Sequence, residues 1–206
     1  MTVGEQVRDS LNHWSARQWR QSMWHASEAL DETARKRYPT LGVAARFKRT
    51  VRDDLDIFTA MMAPDIDLVR SRFPVRVQSD ATDGRPDVAD LLFATHRYLH
   101  GHENDFPGGC EIMPHIDGVP AFHISEGHLQ LRASAALGLL AIAVFSPENR
   151  GEQIPGSYQL GWQQHIFHVR GWWGWRDHFR EILRTEPIPS YPLDFGPEWS
   201  NWQPVR

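Results

Sequence analysis

Apolar residues at helical spacing dominate the first hundred positions. Trp19, Met23, Ala26 and Leu30 fall at i, i+4, i+7 and i+11, one face of a 3.6-residue repeat, which predicts helix over residues 5–38. A break near Ser27 would divide it in two, and Pro39 ends it. Trp14, Trp19 and Trp24 stand five apart and leave that stripe, so at least one should meet another helix or a neighbouring subunit. A second apolar line, Ala44, Phe47, Val51, Leu55, Phe58 and Met62, predicts another helix that Pro64 closes. Residues 64–87 mix Pro64, Pro74, Gly84 and Pro86 with Asp and Ser and read as a long connection, with Val75-Arg76-Val77 as a short strand inside it. Asp87 is a suitable N-cap for a third helix that buries Val88, Leu91, Leu92, Thr95 and Leu99 and stops at Gly101. At 100° per residue, Phe93, His96, Arg97 and His100 gather on its opposite, exposed side.

The periodicity changes after residue 105. Turn signals at Asp117-Gly118 and Glu126-Gly127 flank alternating runs at 120–124 and 128–132, predicting a small antiparallel β-insertion over about residues 110–132. Residues 133–145 are apolar nearly all round and predict a buried central helix, which Ser146 to Arg150 terminate. Residues 151–175 are rich in Gly and aromatics, including Trp162, Trp172, Trp173 and Trp175, without a clear period. A short helix over 176–184 turns Phe179, Ile182 and Leu183 inward. From Thr185 the chain carries five prolines and reads as an irregular tail that wraps the surface through Trp199 and Trp202.

The resulting fold class is mainly α: one bundle-like helical domain over 1–206, with a helical half (1–105) and a half holding the β-insertion, the buried helix and the Trp/Pro-rich tail (106–206). The composition, 41% hydrophobic and 23% charged over 206 residues, agrees with a single globular domain. One cysteine, Cys110, excludes an intrachain disulfide and fits a reducing compartment. The N-terminus lacks an apolar signal core, and the longest apolar run falls short of the ~20 residues a bilayer demands. A cytoplasmic protein without membrane association is expected.

A net charge of −4 hides an asymmetry. Residues 1–52 hold ten Arg and Lys against five acids, while the remainder holds twelve against twenty-one. Arg46, Arg49 and Arg52 on the second helix are therefore candidates for phosphate contacts, since clustered guanidiniums release counterions from nucleic acid. The alternative is a pair of solvated amphipathic helices.

The densest chemistry lies in His96-Arg97-Tyr98-Leu99-His100-Gly101-His102-Glu103. An imidazole there can move a proton to or from a ribose hydroxyl, and a guanidinium beside it can hold phosphate and stabilise developing charge. The run LLFATHRYLHGHE, around residues 91–103, resembles the end of the HEPN domain (higher eukaryotes and prokaryotes nucleotide-binding). That resemblance implies a small all-helical, often dimeric domain, many of whose members are metal-independent ribonucleases of toxin and defence systems. It also implies an Arg, four-to-six residues, His motif. By position, Arg97 would hold phosphate and His102 would be the catalytic histidine. Matching His100-Gly101 instead puts Thr95 where the arginine belongs, so the register stays open between His100 and His102. His96 and Glu103 would support them. RNA, a second copy and a cognate protein are the partners so implied, with no cofactor.

Three other readings of the same residues stand beside this one. His96 and His100, at i and i+4, can share an ion, with His102, Glu103 or Asp105 as further donors, but the zincin HExxH pattern is absent and no metal is assigned. His100 and Glu103 can instead simply cap the helix and tie down the glycine-rich loop. The third is a non-catalytic module, dimeric or one half of a two-protein system, using the Trp-rich region as its contact surface. No GxSxG elbow occurs, and a buried Cys110 reads as inert. His165, His168, Arg170, Trp172, Trp173, Trp175 and Arg176 mix stacking faces and cations suited to single-stranded nucleic acid, or else they fill the core.

Overall fold

Arg17, not Ser27, breaks the first helical stretch. In the computed structural model, which describes residues 1–116 and 119–205, Arg17 takes a φ of 57° and divides α1 (Val3–Ser15) from α2 (Trp19–Arg37). A capping box between Thr2 and Glu5 opens α1. The two helices return antiparallel: Ser10 Oγ donates to the Ser22 carbonyl at 2.8 Å, and the Gln6 amide meets His25 Nδ1 at 2.7 Å. The second stretch also divides, at Asp54, into α3 (Val43–Asp53) and α4 (Leu55–Met62). Asp54 sits at the break because its side chain is fully buried among Arg37 (2.7 Å), Arg180 (3.1 Å) and Arg176 (3.5 Å). Periodicity cannot report such a distant cluster.

The long connection at 64–87 forms as expected, but Val75-Arg76-Val77 does not become a strand. Val75 and Val77 are buried, yet the backbone there meets the C-terminal tail rather than a ladder: Trp202 Nε1–H donates to the Val75 carbonyl at 2.9 Å. Further along, the Asp67 N–H donates to the Tyr191 carbonyl at 2.9 Å, the Tyr191 N–H donates to the Asp65 carbonyl at 3.0 Å, and the Leu193 N–H reaches Ser71 Oγ at 2.9 Å. The tail thus straps the connection against the core, as its prolines and tryptophans suggested.

α5 (Val88–Leu99) follows a reciprocal capping box between Asp87 and Asp90. Beyond it lies a three-stranded sheet of β1 (Cys110–Met113), β2 (Phe122–Ser125) and β3 (His128–Arg132), ordered β1-β3-β2. The β2–β3 hairpin is antiparallel and turns on Glu126-Gly127, both at positive φ, as a two-residue primed turn demands. The insertion is not wholly antiparallel: β1 pairs parallel with β3, Cys110 opposite Leu129. The segment after β1 passes the central position and enters at the far edge, so β3 returns between its predecessors. The predicted turn at Asp117-Gly118 lies outside the described residues.

α6 (Ser134–Phe145) is buried along nearly its whole length, as its uniform apolarity predicts. It packs on α2 and α4 and joins residues of both halves of the chain into one contiguous core. The Gly- and Trp-rich segment contains a hairpin that the sequence did not disclose, β4 (Gln159–Trp162) with β5 (His165–His168), followed by α7 (Val169–Trp172) and α8 (Arg176–Thr185). Trp162 and Trp173 are buried, and Phe145, Phe167 and Phe179 form one aromatic cluster with Trp172. Trp162, Phe167 and Trp173 therefore fill the core, while His168, Arg170 and Trp175 of the same region stay exposed. Among the described residues no helix is long and apolar enough to cross a membrane.

Candidate functional site at the C-terminal end of α5

The charge asymmetry of the sequence is largely resolved inside the fold. Lys36 meets Glu152 at 2.8 Å and Arg37 meets Asp54, linking the basic first quarter to acids from later in the chain. The arginines singled out for phosphate are engaged in the same way. Arg46 holds Asp31 through two nitrogens, Arg52 contacts Asp80, Asp87 and Asp90, and Arg49 stacks over Tyr38 at 4.6 Å near Asp53. The predicted strip of Arg46, Arg49 and Arg52 is thus a set of ion pairs, with its field largely cancelled.

α5 ends in a Schellman motif. Gly101 takes a φ of 83°, its N–H bonds the Tyr98 carbonyl, and the His102 N–H bonds the Arg97 carbonyl at 3.1 Å. His102 is exposed just beyond the helix, and Glu103–Asp105 forms a single 3-10 turn. That turn brings Asp105 back to Arg97, whose Nε donates to its carboxylate at 2.8 Å. Glu103 stays exposed on the outer side of the turn.

The histidines do not share one exposed face. His96 is buried, its ring stacked on Phe47 at 5.2 Å, with Nδ1 3.0 Å from Ser27 Oγ. The exposed group expected at His96 and Phe93 is corrected here, because α2 and α3 cover that side of α5. Burial, reinforced by His100, pushes the His96 imidazolium down to about 4, so the ring is neutral at pH 7. His100 lies 4.5 Å from it, ring centre to ring centre, and turns toward α2 while staying partly open to solvent. His100 Nδ1 meets the His96 carbonyl at 2.8 Å, while Nε2 meets both Trp24 Nε1 and Glu28 Oε1 at 2.8 Å.

Arg97 points elsewhere. It borders a 530 Å³ pocket with Lys48, Arg76, Phe93, Asn104 and Asp105. Lys48 is buried against Asp90 and lies 5.9 Å from the centre of the Phe93 ring. Arg76 is exposed and has no ion-pair partner among the described residues. The structure therefore gathers Arg97, Arg76 and Lys48 on one side of α5, and Glu28, His96 and His100 on the other. Sequence reasoning missed Arg76, Glu28 and Trp24. The i, i+4 spacing of Trp24 and Glu28 on α2 was the one available signal, and nothing local ties it to α5.

A family model named Rv1289 matches residues 2–199. The chain belongs to the Rv1289 family. Similar curated proteins come from mycobacteria: "Uncharacterized protein Rv1289" of Mycobacterium tuberculosis H37Rv and "Uncharacterized protein Mb1320" of Mycobacterium bovis are each 50% identical over 207 residues, spanning all of this chain and 99% of their own length. This member therefore spans the same unit as its Rv1289 relatives. No solved structure matches it.

Proposed function

We propose that the protein binds RNA at the Arg97 pocket and that its nucleolytic capacity, where exercised, uses Arg97 with His102. The observation that carries this reading is that Arg97, Arg76 and the Phe93 ring line one pocket of 530 Å³, with the buried Lys48–Asp90 pair at its wall. Guanidiniums suit phosphate, and an aromatic face suits an unstacked base. Asp90 and Asp105 share the pocket, so it carries a modest positive excess that selects a short single-stranded segment rather than a long duplex track. The HEPN resemblance supports the same assignment: Arg97 at the phosphate, and His102, exposed beyond the Schellman turn, within the same helix end. His100 is engaged by α2, so His102 is the better candidate for proton transfer.

The experiment is binding of a labelled single-stranded RNA at low and moderate salt, followed by incubation with and without chelator. Affinity that falls with salt, drops at least tenfold in Arg97→Ala and in Arg76→Ala, and survives in Arg46→Ala supports the reading. Cleavage that persists with chelator and disappears in His102→Ala supports the nucleolytic part. Wild-type protein that binds no RNA at low salt overturns both.

A second reading, a homodimer or partner contact through the Trp-rich region, has one observation in its favour. Ile166 on β5 and Trp175 just before α8 are 62% and 55% exposed. Sedimentation of the wild type beside Ile166→Lys tests it, and a monomeric wild type would remove the homodimer.

A further inference from the structure

The other side of α5 carries a different chemistry. Glu28, His96 and His100 each offer one ligand atom, and these atoms lie within 4.8 Å of one another. Glu28 Oε1 is 2.8 Å from His100 Nε2 and 4.0 Å from His96 Nδ1. A tetrahedral ion with bonds of about 2.0–2.1 Å sets its ligand atoms roughly 3.4 Å apart, and the two measured separations bracket that spacing.

The hydrogen bonding at His100 points to a cation. Nδ1 faces the His96 carbonyl, an acceptor, so Nδ1 carries a proton. In the neutral ring Nε2 then holds a lone pair. Trp24 Nε1–H can donate to it, but Glu28 Oε1 brings a second lone pair to the same nitrogen at the same 2.8 Å. Protonating Nε2 satisfies Glu28 and sets the ring N–H against the indole N–H. A metal ion between the two lone pairs satisfies both, and Trp24, itself partly exposed, turns its N–H to solvent.

We propose that Glu28, His96 and His100 bind one divalent transition-metal ion of the zinc class, with two imidazoles and one carboxylate as ligands. Imidazole and carboxylate together suit borderline metals better than calcium or magnesium. His96 anchors the ion from the buried side, held by the Phe47 stack, its Nδ1 giving up the proton and the Ser27 Oγ contact to the ion. Glu28 and His100, each with rather more than a quarter of the side chain exposed, form the rim through which the ion enters. A three-ligand set with one side open keeps a coordination position for water, the arrangement of reactive rather than purely structural zinc. The ion would cross-link α2 to α5. It would also withdraw His100 from proton transfer, leaving His102 to the RNA chemistry proposed above.

The test uses full-length protein stripped with chelator and titrated with Zn²⁺ by calorimetry and with Co²⁺ by visible absorption. The wild type should take up one equivalent, show the ligand-field bands of low-coordinate Co²⁺, and melt at a higher temperature with Zn²⁺ present. Glu28→Gln and His100→Gln, both on the exposed rim, should fold as judged by circular dichroism and bind at least tenfold more weakly. His102→Ala should bind as the wild type does. Failure of the wild type to take up either metal, or equal uptake by Glu28→Gln and His100→Gln, would overturn the proposal and leave Glu28 and His100 as a simple ion pair.

Discussion

Lys48 Nζ lies 2.8 Å from Asp90 Oδ1, and the two side chains are 4% and 0% exposed. This pair joins α3 to the first turn of α5, and Arg52 closes the same carboxylate from the surface at 3.1 Å. Because α5 delivers Arg97 to one pocket and His96 and His100 to the other side, the pair fixes the direction of both. Removing Asp90 leaves the buried Lys48 with only the half-exposed Asp80 carboxylate at 3.3 Å and takes away half of the α5 capping box, so Asp90→Ala should cost about 3–5 kcal/mol. Replacing both, as in Lys48→Met with Asp90→Leu, should recover much of that loss. Urea unfolding of the three variants measures it, and a double variant as unstable as Asp90→Ala would refute the account.

Asp87 gives the same junction a pH dependence. Burial opposes its ionisation, but the Arg52 hydrogen bond at 2.8 Å, with help from the Asp90 backbone N–H, outweighs it and holds the carboxyl below the ordinary range. A carboxylate depressed in the folded state stabilises above its unfolded value of about 3.9 and loses that contribution as pH falls through the folded value. Asp80, also held low chiefly by Lys48 and Arg52 against burial, adds to the slope. Arg52→Gln should therefore cost about 1 kcal/mol near neutrality, the scale of a partly exposed network. The difference should shrink toward zero as pH falls through the lowered folded values of these carboxylates. Thermal unfolding of both proteins from pH 7 downward checks the convergence.

Elements whose burial is decided locally were legible in the sequence. α6 is apolar on every side because it lies between other elements, and α5 announces itself through Asp87 and Gly101. Breaks made by ordinary residues in the left-handed region were not. Arg17 and Gln163 take φ values of 57° and 51° without glycine, which hid the end of α1 and the β4–β5 turn. The parallel pairing of β1 with β3 and the meeting of Glu28 with His100 depend on residues far apart in the chain. The helical wheel of α5 read the partial exposure of Arg97 and His100 but put them on one side with His96 and Phe93, since a wheel says nothing of what α2 and α3 cover.

Cys110 should behave as a buried, inert thiol. Burial pushes its pKa up to about 11, only partly offset by Thr95 Oγ1 at 3.7 Å. At pH 8 only about one native thiol in a thousand is then ionised, and the thiolate is the reactive form. An aromatic disulfide reagent should titrate no thiol in the native protein at pH 8 and one thiol in denaturant. Rapid labelling of the native state would show that β1 opens readily from the core.

Gly138 sets the contact between α4 and α6. A Cβ placed there would meet the Phe58 ring at 2.6 and 2.8 Å and the Phe58 carbonyl oxygen at 3.1 Å. Helix propensity alone favours alanine over glycine by about 1 kcal/mol. Phe58 is fully buried, however, so its ring is enclosed by close-packed neighbours. Overpacking of this kind typically costs about 1–3 kcal/mol and exceeds the propensity gain. Gly138→Ala should therefore destabilise the protein by about 1–2 kcal/mol net, and Gly138→Ala with Phe58→Leu should recover part of the loss. Equilibrium unfolding in urea decides it: a Gly138→Ala protein more stable than the wild type would mean that α4 moves aside freely.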